Sequence, residues 1–240
     1  MDRRVDSDRK TAIVAGALFI VATVASILGS VALGSVLDGS GYLINVAASE
    51  SQVIGAVLLF LIAASAAFAT AFVLFPILRR HSEGLAAGYV GFRGFENVFY
   101  VAGVIGLLIM LTVSQNSVAG GSPDPVLGVA LLALHDWSVA IGTLIFAGLG
   151  SMTLNSVLYQ SGLVPRWLSL WGIIGAVLLV SYGLFGLFGV DTGLGSPFML
   201  LAMPIALQEM VFAGWLIAKG FNRPAVQLDK SPAQRVEVMS

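Results

Sequence analysis

Three groups of polar side chains lie inside otherwise apolar stretches of this sequence, and they are the residues whose types and spacing could do chemistry. Arg93, Glu96, Asn97 and Tyr100 fall at offsets of zero, three, four and seven, the spacing that places all four on one helical face. His135 and Asp136 are neighbours, as are Gln208 and Glu209. An ionisable group at the centre of a membrane helix costs roughly 2.5–3.5 kcal/mol on insertion scales, so such groups mark a functional site or a buried pair. Asp136 or Glu209 could carry a proton or act as a general acid. Glu96, Asp136 and Glu209 could ligate a cation, while Arg93 holds one carboxylate ionised and fixes its rotamer. His135, Asp136 and Glu209 are also a ligand set of the type that suits zinc or iron, although no H-x-x-x-H or H-E-x-x-H spacing supports it.

The elements that must position these residues follow from composition. Of 240 residues, 58% are hydrophobic and only 10% charged, with a mean hydropathy of +0.94. A soluble chain carries about a quarter charged residues, so most of this surface must face lipid. Twelve Lys and Arg against 13 Asp and Glu leave no basic excess for a nucleic-acid backbone. The absence of cysteine removes disulfides, thiol nucleophiles and Cys-ligated metals. No nucleotide-binding loop, dinucleotide fingerprint or haem motif occurs in the chain.

A spanning helix needs roughly 20 apolar residues, and the sequence offers six such stretches: Thr11–Val36, Gln52–Leu78, Leu85–Ser114, Val126–Tyr159, Trp167–Val190 and Pro197–Lys219. The expected fold is an all-α, polytopic six-helix membrane bundle. Residues 1–10 form an N-terminal segment, 11–220 the transmembrane domain and 221–240 a flexible tail. The fourth stretch is longer than a bilayer requires and should tilt or project. The first is read as a retained helix, because its apolar run is too long for a signal peptide and acidic Asp2, Asp6 and Asp8 interrupt the basic region.

Basic residues set the orientation. Arg3, Arg4, Arg9, Lys10, Arg79, Arg80, Arg166, Lys219, Arg223, Lys230 and Arg235 all fall on one side of this map, and the opposite loops carry Asp38, Glu50, Asp124 and Asp191 without a Lys or Arg. Positive charge favours the cytoplasmic side, so both termini are predicted to be cytoplasmic. Tyr159, Trp167, Trp171 and Trp215 near the same ends agree with an interfacial belt.

At a rise of about 1.5 Å per residue, Glu96 lies ~16 Å from the cytoplasmic edge, Glu209 roughly 15 Å from it, and Asp136 about 15 Å from the outer edge. All three fall near the midplane of a ~30 Å hydrocarbon core. Three carboxyls and one guanidinium at that depth need a proton, a protonated His135 or a bound cation to balance them. The plainer reading is a structural Arg93–Glu96 pair, with His135 in a helix–helix hydrogen bond and Asn155 in a headgroup or capping contact. Gly172, Gly175, Gly183, Gly186 and Gly189 form a ridge for close helix packing. Pro76 and Pro204 are positioned to kink spans, and Pro204 could free the carbonyl of Leu200 near the polar centre.

The blocks Leu74-Phe75-Pro76-Ile77-Leu78-Arg79-Arg80, Gly88 through Glu96, Leu134-His135-Asp136-Trp137, Leu163 through Gly172, and Gln208-Glu209 with Trp215 through Asn222 resemble the signature of a bacterial six-span family known as a domain of unknown function. The resemblance covers nearly the whole chain. It implies a multi-pass protein of the bacterial cytoplasmic membrane and supplies no activity or catalytic residue.

Three functions fit these residues. The first is a membrane protein that binds or translocates a small solute, with proton coupling through the carboxyls and the option of a homo-oligomer. The second is an intramembrane enzyme acting on a lipophilic substrate by general-acid or metal-assisted chemistry, with Asp136 or Glu209 as acid and Phe99, Tyr100 or Trp137 facing a carbocation. The third is a structural or partner-binding subunit. For all three, the lipid bilayer is the partner and nucleic acid is not.

Overall fold

A computed structural model of the chain describes residues 2–37, 39, 41–120, 125–190 and 196–222, with the backbone alone at 2–6, 35 and 125. The loop residues Asp38, Asp124 and Asp191, and the tail from Arg223 onward, lie outside the described residues. In lipid every backbone N–H and C=O must be bonded internally, and the apolar stretches accordingly become helices. They are α1 (Asp2–Leu33), a short loop helix α2 (Tyr42–Ala48), α3 (Glu50–Leu78), α4 (Glu83–Val118), α5 (Pro125–Ser138), α6 (Ala147–Ser161), α7 (Arg166–Leu187) and α8 (Met203–Ala218). Among the described residues six segments are long and apolar enough to cross a membrane: Ser7–Leu33, Glu50–Leu78, Glu83–Val118, Val126–Ser161, Arg166–Leu187 and Pro197–Ala218. The protein is an all-α, six-span membrane bundle.

Local signals set the helix ends. The Ser82 hydroxyl accepts from Leu85 N at 3.4 Å and caps α4. Gly162 ends α6 in the left-handed region at φ 65°, where only glycine is unstrained. Pro76 lies inside α3 without ending it. Pro204 lies in the first turn of α8, where its missing N–H breaks no helical bond. It therefore opens no backbone gap near the polar centre, contrary to the expectation above. The break in the sixth span lies earlier, at the 3₁₀ turn Pro197–Leu201.

The long fourth span has an internal cause. Between α5 and α6 the chain runs through a π-helical segment, Val139–Phe146, a wide turn that recurs at functional sites. There Gly142 approaches α4 so closely that a Cβ would collide with Phe99. Glycine also permits the tight contacts of Gly172 with Asn155, Gly175 with Ile205 and Gly183 with Ile145. Gly186 and Gly189, expected on the same packing ridge, line a cavity instead.

The spans close into a ring in chain order, α1 against α3, α3 against α4, α4 against α5 and α6, α6 against α7, α7 against α8 and α8 back against α1. Arg9 ties the ring's two ends together: its Nη1 donates to Leu216 O at 3.1 Å and its Nη2 to Ile217 O at 2.6 Å. Nearby, Arg80 pairs with Asp8 at 3.4 Å, and Asn222 donates to Gly162 O at 2.8 Å. These contacts gather Arg9, Arg80 and Lys219 with the loop before Arg166 at one basic end. Above that end the core is densely filled: Phe19, Leu74, Tyr89, Leu158, Phe212 and Leu216 are at most 2% exposed. A second core, with Val53, Phe60, Leu107 and Met110, joins α1, α3, α4 and α5 nearer the other end.

Candidate functional site

The densely filled half ends at Arg93. Its guanidinium lies over the rings of Tyr89, at 5.6 Å, and Phe19, at 5.9 Å, so aromatic faces hold it from the core side. One nitrogen, Nη1, donates to Glu96 Oε2 at 2.8 Å; the other, Nη2, reaches across to Glu209 Oε1 on α8 at 3.4 Å. The hydroxyl of Ser151 on α6 donates to the same Glu209 oxygen at 3.2 Å. Thus α4, α6 and α8 meet in one polar group. The Arg93 and Glu96 side chains are 5% and 6% exposed and Glu209 is 22% exposed, which makes Glu209 the accessible member.

Beyond this group the bundle opens into a cavity of about 1090 Å³. Arg93, Glu96 and Glu209 form its floor, and Leu33, Leu37, Val190 and Met199 mark its far end. These last residues lie at helix ends away from the basic end, so the cavity opens on the opposite side. Tyr100, His135 and Asp136 also line it. The Tyr100 hydroxyl is 2.9 Å from the Ser26 hydroxyl of α1. His135 packs its ring near Phe60, at 6.3 Å, and its Nδ1 near Gly103.

The residues singled out in the sequence therefore separate. Arg93, Glu96 and Glu209 come together, and Tyr100, His135 and Asp136 share their cavity. Asn97 does not line it, and Gln208 faces the core instead: 1% exposed, it donates to Asn155 Oδ1 and to Leu168 O, each at 3.2 Å. Asn155 is a correction. It is 3% exposed and donates to Ser151 O at 2.8 Å, so it belongs to the helix-packing core, not to a headgroup or capping contact. The metal set is a second correction, because among the described residues no three His, Asp or Glu side chains are grouped to hold a metal ion. His135 and Asp136 point from α5, which ends one segment short of the depth at which α6 meets Glu209.

Sequence reasoning missed Ser26, Thr143 and Ser151. Thr23, Ser26 and Ser30 recur at offsets of zero, three and seven in α1, a polar stripe that was visible in principle, and all three line the cavity. Ser151 carried no such signal, since a hydroxyl inside a membrane helix can always bond its own backbone.

The profile of a domain of unknown function, DUF4386, matches residues 14–220. The chain belongs to the DUF4386 family. The matched range holds all six spans apart from the first turns of α1, and every residue of the polar floor and its cavity. No curated protein and no solved structure matches this DUF4386 chain.

Proposed function

We propose that this DUF4386 protein binds a small solute in the central cavity, with Glu209 as its principal polar contact. The observation that carries the reading is the unequal sharing of Arg93. Glu96 is held close and shut away, whereas Glu209 is held at a longer distance and faces the cavity. A carboxylate so placed can exchange its partner between Arg93 and an incoming donor without leaving a bare buried charge. Glu96 keeps Arg93 compensated during the exchange, and Ser151 steadies the Glu209 carboxylate. Proton transfer would use the same residue, because a proton on Glu209 would weaken its hold on Arg93.

In this reading the protein is a multi-pass protein of the bacterial cytoplasmic membrane with its basic end inside. The cavity then opens outward, and the filled half around Tyr89 and Phe212 is the closed side. Translocation would require that half to part, a rearrangement of packed helices of the kind transporters use.

The test exploits the absence of cysteine. Thr143→Cys and Ser30→Cys, which line the cavity, should react with a membrane-impermeant maleimide in oriented vesicles. Leu74→Cys, at a fully buried position, should not. Protection of both cavity sites from the reagent, with the protein folded, would sink the reading.

A further inference from the structure

The cavity carries a statement about its ligand that goes beyond binding a small solute, and it rests on that reading. Its charged lining is unbalanced. Among the described lining residues Arg93 is the only Lys or Arg, and it faces two carboxyls, Glu96 and Glu209. Arg93 is already committed to Glu96 at 2.8 Å and to Glu209 at 3.4 Å, so an arriving anion would meet a group that carries one carboxyl more than its guanidinium balances. In a low-dielectric cleft like charges focus a field that selects against anions and concentrates cations.

The remaining lining is aromatic and apolar. Phe99, Tyr100, Trp137 and Tyr182 face the same space, and aromatic faces are the surfaces that hold organic cations. A hydrated metal ion would use none of them. Three more observations concern shape. At the basic end α1 and α8 are pressed together, with Gly16 against Ala213 and Ile217 and with Phe19 edge-on to Phe212 at 5.4 Å. Towards the other end both helices line the cavity, α1 with Thr23, Ser26 and Ile27 and α8 with Ile205, Ala206 and Glu209. Ile27 is at once a lining residue and 55% exposed on the outer surface of the bundle. The two helices therefore diverge into a slot whose lip is apolar and faces lipid.

We propose that the cavity takes a lipophilic organic cation, its positive centre between Glu209 and the aromatic wall and its apolar body in the slot between α1 and α8. The bilayer is then the reservoir from which the ligand arrives. A cation beside Glu209 brings the group of Arg93, Glu96 and Glu209 to charge balance, and the ligand's apolar groups replace the lipid that would otherwise fill the slot.

An isosteric ion pair isolates the charge. Purified full-length protein in nanodiscs of zwitterionic lipid is dialysed against radiolabelled tetraphenylphosphonium or tetraphenylborate, which match in shape and oppose in charge, with protein-free nanodiscs to subtract partition. The cation should bind saturably at one per chain, and the borate should neither bind saturably nor compete. Glu209→Gln should weaken cation binding about tenfold or more. Ala206→Phe, which narrows the slot and leaves every charge in place, should weaken it as well; each variant is first checked for a single cooperative melting transition above the assay temperature. If Glu209→Gln fails that check, Ala206→Phe and the contrast between the two ions carry the test. Equal binding of both ions, or cation binding indifferent to these substitutions, would overturn the cationic assignment. No saturable binding of either ion overturns it too, and the maleimide reaction at Thr143→Cys then tells whether the cavity itself stands.

Discussion

Arg93 bonds Glu96 one turn away on its own helix at 2.8 Å and Glu209 on the last helix at 3.4 Å, so one guanidinium closes both a local and a long-range ion pair. Removing it strands two carboxyls in the bundle. Breaking a buried pair by deleting one partner costs about 3–5 kcal/mol. Arg93→Ala should therefore lower the melting temperature in detergent sharply or prevent accumulation of folded protein. Glu209→Gln keeps an acceptor for Arg93 and leaves Glu96 to balance it, and should cost about 1–2 kcal/mol. Comparable losses in the two variants would mean that Arg93 is not the centre of this group.

Behind Arg93, the Thr70 hydroxyl donates to Ala67 O at 2.6 Å, so the 2.8 Å contact between Thr70 and the Tyr89 hydroxyl has Tyr89 as donor. Tyr89→Phe should keep the ring under the guanidinium and lose only the contacts of the hydroxyl with Thr70 and Arg93, about 1 kcal/mol. Tyr89→Leu loses the aromatic face and the bond together and should cost about 1–2 kcal/mol more. Thermal unfolding of the pair of variants separates the two contributions; a Tyr89→Phe protein as unstable as Tyr89→Leu would show that the ring face contributes nothing.

The relation between Arg93 and Glu96 was legible in the sequence because a spacing of three residues in a helix dictates it. The partnership with Glu209 was legible only as equal depth, since counting residues along two spans fixes height in the membrane but not which faces meet. Asp136 lines the same cavity as Glu96 and Glu209, but a residue count from Val126 gives no sign of the wide turn at Val139–Phe146, which sets how α5 is turned relative to α6. Adjacency misled for Gln208, which lies about 100° around the helix from Glu209 and turns into the core while Glu209 turns into the cavity. The six spans were legible for a simpler reason: lipid permits only bonded backbone, and an apolar run of sufficient length has no other fold available.

Asn155 and Gln208 make a second, purely structural network with its own consequence. Asn155 bonds Gln208, which also bonds Leu168 O, so α6, α7 and α8 are joined at one level. The amide of Asn155 fits because Gly172 has no side chain, and a Cβ there would collide with it. Gly172→Ala should destabilise by about 1–3 kcal/mol through overpacking and displaced hydrogen bonds. Asn155→Ala in the same chain should recover part of that loss, since the two changes share one space. A double variant whose melting temperature falls by the sum of the single effects would show that Gly172 and Asn155 do not compete for room.

The side on which the cavity opens depends on the orientation of the chain, for which the basic end makes a prediction. Arg9, Arg80 and Lys219 lie at the end where α1 meets α8, while Leu37 and Val190 mark the cavity's opposite, open end. Basic residues are retained on the cytoplasmic side during insertion. A fluorescent protein fused after Ser240 should therefore fluoresce, alkaline phosphatase at the same position should be inactive, and phosphatase fused after Gly120 should be active. The reverse pattern would turn the molecule over, so that Glu209 would be reached from the cytoplasm and the filled half around Tyr89 would close the outer side.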